Sequence, residues 1–240
     1  MKNLFVLFIF CAFIIGSSEN SNAQIKDLIK KVTGGEKSGS DDKTVADGLK
    51  EALNIGTGNA VKSVSSLDGF FKNELIKIVM PSSIQKYEKA LKTLGAGKIV
   101  DDFVLSMNRA AEDASKEAAP IFVSAIKKMT INDAVKILKG RENEATLYFQ
   151  EKTTDSLSAK FNPIISKSMD ENNVTKYYKQ LNDKVKNIPF ASKLNVDLDE
   201  YVTQKALEGL FTVVGQEEAK IRKDPAARVT DLLKTVFGKN

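Results

Sequence analysis

Apolar residues recur at helical spacing along most of the chain. From residue 44 onward they return every three or four positions, which places them on one face of an α-helix. Residues 67–82 do not follow this pattern and include a short extended piece at 75–80. The spacing predicts helices at 44–66, 83–94, 98–118, 120–129, 132–140, 142–169, 174–186, 198–223 and 226–237.

No stretch shows the convincing apolar–polar alternation of a half-buried strand. We therefore predict an all-α fold, with about nine helices in a single compact domain at 44–240. The helix at 198–223 is expected at its centre, because its apolar residues cover about half of the helix circumference. These residues are Val202, Ala206, Leu207, Leu210, Phe211, Val213 and Val214.

The N-terminus has the pattern of an export signal. Lys2 precedes an apolar run at 4–15, and Ser21-Asn22-Ala23 has small residues at the two positions that a signal peptidase recognises. We predict a signal peptide at 1–23, cleaved after Ala23, and an exported, periplasmic protein. A buried N-terminal helix and an uncleaved anchor are the alternatives. Residues 24–43 are expected to form a short amphipathic segment and a flexible Gly/Ser-rich linker.

The residue types exclude most familiar catalytic chemistry. The chain has no His, and its one Cys, Cys11, lies in the predicted signal peptide, so the common catalytic triads and structural zinc sites are excluded. The acidic clusters at 41–42 and 197–200 lack the spacing of a calcium-binding loop. We expect no metal and no cofactor, and an enzyme is the less favoured interpretation. The adjacent acids Glu217 and Glu218 are expected on solvated faces, because neighbours on a helix point apart.

The charge is modest and evenly spread. The chain carries 36 basic and 31 acidic residues, a formal net charge of +5. The bases alternate with acids instead of forming the long basic runs that favour nucleic acid. We therefore expect no nucleic-acid partner, while peripheral contact with an anionic membrane surface stays open.

Polar residues beside the apolar stripes of two helices form a candidate ligand or partner site. On the helix at 98–118, Asn108 and Glu112 share one edge of the stripe, where they could line a groove or bridge to a neighbouring helix. On the same helix, Arg109 is expected to pair with Asp113 and Asp102. The polar side of the helix at 198–223 adds Tyr201, Gln204 and Lys205.

Several stretches form specific motifs. They lie at 48–53, 78–81, 107–112, 148–149 and 199–211, with Glu217-Glu218 and Ile221-Arg222 near the end. Through them the chain resembles the exported bacterial proteins grouped as domain of unknown function 4197, over residues 45–238. The resemblance implies an exported helical protein and no particular reaction. It adds weight to the candidate residues that fall in these motifs, namely Asn108, Arg109, Tyr201, Gln204 and Lys205.

Together these observations favour a non-catalytic helical module of the bacterial envelope. Such a module would bind an apolar small molecule or a protein partner, and the sequence does not choose between the two. A carboxylate-dependent hydrolase of the envelope is the alternative. The sequence gives no oligomeric state.

Overall fold

The computed structural model describes residues 39–189, 191–192 and 194–223. The predicted signal peptide and the predicted helix at 226–237 lie outside the described residues. Contacts divide the chain into two units, residues 1–41 and 42–240. The first unit is described only at 39–41, which begin a helix, and the fold below is that of the second.

Helices make up most of the described chain. They are α1 (Gly39–Val64), α2 (Ser82–Gln85), α3 (Glu88–Leu91), α4 (Gly97–Ser115), α5 (Ala118–Lys128), α6 (Ile131–Lys139), α7 (Glu144–Glu171), α8 (Val174–Val185) and α9 (Leu198–Lys223). No strand occurs within the described ranges, and the predicted all-α fold is confirmed. Helix α1 begins inside the region 24–43 that was predicted to contain a linker.

The prediction of one continuous helix at 83–94 is wrong. The chain there forms two single-turn helices, α2 and α3, followed by a π-helical turn at Lys92–Ala96. Between α2 and α3, Tyr87 leaves helical geometry with φ −100° and ψ 0°. Gly95 then takes the left-handed conformation, φ 76°, which glycine adopts without steric cost. Helix α4 starts two residues later.

The core forms where α4, α7 and α9 meet. Helix α9 packs against both α7 and α4, and α4 also contacts α7 and α8. All seven apolar residues predicted to face the core from α9 are buried, which confirms that prediction. Phe122 of α5 lies edge-on to Phe149 of α7 and Phe211 of α9, with ring centroids 5.2 and 6.3 Å apart. These aromatic contacts tie α5 to the same core.

Candidate functional site

A connecting segment, residues 65–81, joins α1 to α2 without helical structure. It begins with a series of turns and ends in an extended stretch at 77–81. In its second half Ile76, Ile78 and Met80 are buried, whereas Leu75 and Val79 are exposed. Such alternation is typical of extended chain lying on a core. The extended piece predicted at 75–80 is correct for 77–80, whereas residues 75 and 76 lie in a turn.

Asn108 of α4 holds the extended stretch by its backbone. Its Oδ1 accepts a hydrogen bond from the Ile78 N–H at 2.9 Å, and its Nδ2 donates to the Ile78 carbonyl at 2.8 Å. One amide side chain thus bonds both backbone groups of Ile78, as a neighbouring strand would. Asn108 is fully buried. If its side chain were lost, the Ile78 N–H and carbonyl would have no hydrogen-bond partner, because water does not reach this position.

Glu112, one turn further along α4, holds the first part of the connecting segment. Its Oε1 accepts hydrogen bonds from the N–H groups of Phe70 and Phe71 at 3.1 and 3.3 Å. Its Oε2 accepts one from Arg109 at 2.6 Å, and Arg109 donates a second to Asp68 at 2.6 Å. A buried carboxylate requires such a charge partner and such donors. Asn108, Arg109 and Glu112 therefore all act on the connecting segment.

Asp68 completes this arrangement from the segment itself. Its backbone is left-handed, with φ 66°, a conformation that Asp tolerates better than most residues. Lys72 lies 2.7 Å from one carboxylate oxygen and Arg109 lies 2.6 Å from the other. The hydrogen bonds from Lys72 and Arg109 hold the pKa of Asp68 below its ordinary value.

The predicted pairing of Arg109 with Asp113 and Asp102 is wrong. Those two acids instead pair with Lys116 and Lys98, their neighbours on the exposed side of α4. Arg109 turns toward the connecting segment, because the buried carboxylate of Glu112 lies there. Spacing along one helix does not reveal partners supplied by another part of the chain.

The three candidate residues on α9 differ in their surroundings. Tyr201 donates a hydrogen bond from its hydroxyl to the Val79 carbonyl at 2.9 Å, and burial raises the pKa of Tyr201. Lys205 donates to Glu208 at 2.6 Å, which raises the pKa of Lys205. Gln204 is exposed and bonds to an acid one turn earlier on α9. Tyr201 thus contacts the connecting segment, and Gln204 does not.

Sequence reasoning missed residues that shape the segment. Phe70 is fully buried and packs directly on Gly209 of α9. A Cβ at position 209 would lie 2.5 Å from a ring carbon of Phe70, so only glycine leaves room for the ring. Two signals were available: Asp68-Gly69 is a turn dipeptide, and a glycine in a helix interior often marks close packing.

The connecting segment has an apolar outer surface, which we define as Leu75, Lys77 and Val79. Leu75 and Val79 are 73% and 48% exposed. The Lys77 ammonium lies 4.5 Å from the centroid of the Phe71 ring. Two shallow hollows, about 270 and 200 Å³ in volume, adjoin this surface and share Lys77 and Val79. Tyr201 and Lys205 line the smaller one.

A second buried glutamate–arginine pair lies at the start of α7. Glu218 accepts hydrogen bonds from the Ala145 N–H at 3.0 Å and from the Thr146 N–H and hydroxyl at 2.9 and 2.7 Å. Arg222 donates to Glu218 at 2.9 Å and to the Ile137 carbonyl at 2.9 Å. The pair satisfies free N–H groups at the helix start. The predicted solvated position is therefore wrong for Glu218, which is 5% exposed, and also for Glu217, whose side chain is 14% exposed.

The carboxylates of Glu217 and Glu218 do not converge on one site. Glu217 turns away and accepts a hydrogen bond from Asn59 of α1 at 3.3 Å. In the part of the chain that the structure describes, no three acidic, His or Cys side chains are grouped as a metal site. None of the described helices combines the length and the hydropathy that a membrane span requires.

Comparison with known proteins gives one match. A family model described as "protein of unknown function (DUF4197)" matches residues 39–238. This match begins at the first residue of α1 and includes the connecting segment and both buried glutamate–arginine pairs. No curated protein and no solved structure matches the chain significantly.

Proposed function

Because the chain belongs to the family described as protein of unknown function (DUF4197), whose description names no activity, we propose a function from the geometry of the connecting segment. The protein is a non-catalytic module of the bacterial envelope. It binds a protein partner through the outer surface formed by Leu75, Lys77 and Val79.

The exposure of this surface carries the proposal. Five large apolar side chains stand out as exposed among the described residues, and three of them, Leu67, Leu75 and Val79, belong to the connecting segment. Single exposed apolar residues need no explanation, but Leu75 and Val79 line the same hollow, and neighbouring exposed apolar residues mark an interaction surface. If these exposed positions had no role in binding, polar residues would be expected there.

The rigidity of the segment adds to the argument. Asn108, Glu112 and Tyr201 fix its backbone from two helices. A surface held in one shape before binding loses little conformational entropy when a partner docks. These hydrogen bonds thus have a functional consequence, although the buried side chains of Asn108 and Glu112 do not need to touch the partner.

The shape of the surface favours a protein over a small apolar ligand. The two hollows share Lys77 and Val79, and each is smaller than the usual 300–1,000 Å³ of a ligand pocket. A partner that covers these two shared residues can place an apolar side chain in each hollow. Lys77 has no ion pair with any described residue, so an acidic group on the partner would complement it.

Export of the protein is part of the same proposal. The signal-like pattern at 1–23 supports an envelope location for the protein and therefore for its partner. N-terminal sequencing of the protein isolated from its own bacterium should begin at Gln24. Detection of a chain that retains Met1 would contradict this part of the proposal and leave the binding surface to be tested separately.

Partner capture with matched variants tests the surface. The variant Leu75→Ser/Val79→Ser removes the outer surface, and Leu94→Ser/Ile131→Ser removes two exposed apolar residues elsewhere, which are 43% and 42% exposed. A partner captured from envelope extract should be purified, and its affinity measured for all three proteins. We expect at least about a tenfold loss for the first variant, because central apolar contacts dominate most interfaces. The control variant should bind like the unmodified protein.

Three results would contradict the proposal. Equal loss in both variants would show a general effect of surface polarity. Unchanged affinity of Leu75→Ser/Val79→Ser would place the interface elsewhere. A dimer that dissociates only in this variant would show that a second copy of the chain covers the surface. Because the substituted side chains are exposed, we expect both variants to fold. Thermal unfolding of each variant checks that a loss of affinity does not come from a loss of folding.

A further inference from the structure

A second surface, formed by other helices, has a different character. A groove of about 600 Å³ runs between α5 and α7. Helix α5 contributes Pro120, Ile121 and Ala125, and α7 contributes Tyr148 and Thr153. These residues form a mainly apolar floor. The volume lies in the range typical of small-ligand sites.

Three lysines stand along this floor. Lys128 belongs to α5, and Lys152 and Lys160 belong to α7. The two lysines on α7 are eight residues apart, which corresponds to about 12 Å along the helix. Because they lie on the same side of α7, the groove carries positive charge along much of its length.

These lysines are poorly neutralised. Neither Lys128 nor Lys160 forms an ion pair with any residue that the structure describes, and Lys152 pairs only with its exposed neighbour Glu151. The one acid lining the groove, Asp133, accepts two hydrogen bonds from Thr130. These bonds lower the pKa of Asp133, so it is ionised at neutral pH and offsets one of the three lysine charges. Because three lysines face one acid, the lining of the groove keeps a net positive charge.

An apolar floor with a cationic rim is complementary to an amphiphile of opposite charge. The geometry points to a single-molecule site for an anionic amphiphile, in which a phosphate or carboxylate headgroup meets the lysines and a hydrocarbon chain lies on the floor. A hydrocarbon chain binds more tightly with each CH₂ group that it buries. The lysine ammonium groups attract an anion. Because lysine side chains are flexible, the three of them can reach headgroups of different shapes.

Binding of defined lysolipids to the purified full protein tests this site. The probes are a palmitoyl lysophosphatidylglycerol, the lysophosphatidylcholine with the same chain, and inorganic phosphate, each below any micelle concentration. We expect the anionic lysolipid to bind at least about tenfold more tightly than either of the others, because only it has both the charge and the chain. Shortening its chain should weaken binding stepwise.

Two pairs of lysine substitutions separate the site from the overall charge. Lys128→Gln/Lys160→Gln should weaken binding of the anionic lysolipid about tenfold or more. Lys176→Gln/Lys179→Gln removes the same charge from α8, where neither lysine has an ion pair within the described ranges, and should change affinity less than about twofold. All four side chains are exposed, so folding should be preserved in both variants.

Each contrary outcome would overturn the inference. Equal losses in the two double variants would show non-specific charge attraction. Equal affinity for the two lysolipids would show that the lysines do not contribute to binding. Equal affinity for the anionic lysolipid and for phosphate would show that the apolar floor does not contribute. Binding only to anionic vesicles would indicate a membrane surface. Tighter binding of an acidic peptide would indicate a protein. None of these results bears on the surface around Leu75 and Val79.

Discussion

The two buried glutamate–arginine pairs use the same chemistry on two different kinds of backbone. In each, a glutamate accepts hydrogen bonds from two consecutive N–H groups, and an arginine one turn away on the same helix neutralises it. Glu218 binds the start of α7, where a regular helix would exist without it. Glu112 binds the connecting segment, which has no repeating structure of its own.

The difference lies in what each pair determines. Helix α7 has 28 residues, and its shape follows from its internal hydrogen bonds, so Glu218 determines only where the helix docks. The connecting segment has few bonds of its own, so Glu112 contributes to its shape as well. We expect the first pair to govern the stability of the whole fold and the second to govern the order of one surface.

Loss of Glu218 should have the largest effect. Glu218→Ala removes the acceptor of three buried donors, the N–H groups of Ala145 and Thr146 and the Thr146 hydroxyl, so the free energy of unfolding should fall by about 3–5 kcal/mol. Chemical denaturation measures this change. The control Glu208→Ala, on the same helix, breaks an ion pair with Lys205 in which both side chains are exposed, 62% and 41%, and should cost less than about 1 kcal/mol. Similar costs for both variants would contradict the role assigned to Glu218.

Loss of Glu112 should have a smaller and more local effect. In Glu112→Ala, Arg109 keeps its ion pair with Asp68, so only the N–H groups of Phe70 and Phe71 lose their acceptor, at about 1–3 kcal/mol. Hydrogen exchange should accelerate at residues 65–81 and stay nearly unchanged in α7. Uniformly faster exchange throughout the protein would show that the two pairs do not differ in this way.

Two glycines on α9 extend the comparison. Gly209 faces Phe70 of the connecting segment, whereas Gly215 faces Thr146 beside Glu218, with 3.5 Å available to a Cβ. Gly209→Ala should destabilise the protein by about 1–3 kcal/mol, because the methyl group would clash with the ring. Gly215→Ala should be neutral or stabilise by up to about 1 kcal/mol, because alanine favours a helix. Thermal unfolding of both variants measures the sign of each change.

Acid should weaken the connecting segment through Asp68, with the smallest effect of the four. The pKa of Asp68 is held below its ordinary value by Lys72 and Arg109, so the folded state binds the proton less readily than the unfolded state. Its stabilising contribution is therefore present at neutral pH and lost as the pH falls below about 4. Asp68→Asn, which also tolerates a left-handed backbone, should reduce the acid-induced rise in hydrogen exchange at 65–81. An unchanged pH profile would contradict this.

The sequence predicted regular elements well because their signal is local. The apolar period of α9 is visible within 26 residues, and its predicted core face is correct. Within the connecting segment, only an extended piece at 75–80 was predicted, because the partners of the segment lie 30 to 122 residues away. For the same reason, the sequence identified Asn108 and Glu112 as candidate site residues but did not show which part of the chain they bind.

Glu218 was misplaced for a different reason. It was judged with its neighbour Glu217 as an acidic pair, although position 218 falls on the apolar stripe of α9, four residues after Val214 and three before Ile221. A charged residue on a buried stripe predicts a buried partner. That signal was present in the sequence. The identity of the partner, the start of α7, required the fold.

The contacts on the connecting segment join residues that are far apart in the sequence, and this separation determines when the segment can reach its final structure. Glu112 meets Phe70 across 42 residues, and Tyr201 meets Val79 across 122. Contacts at such separations form slowly, because the intervening chain must first be brought together. A chain synthesised from its N-terminus has no Gly209 to receive Phe70 until α9 has been made. A partner arriving during synthesis would therefore find no finished surface, and only the complete chain would be recognised.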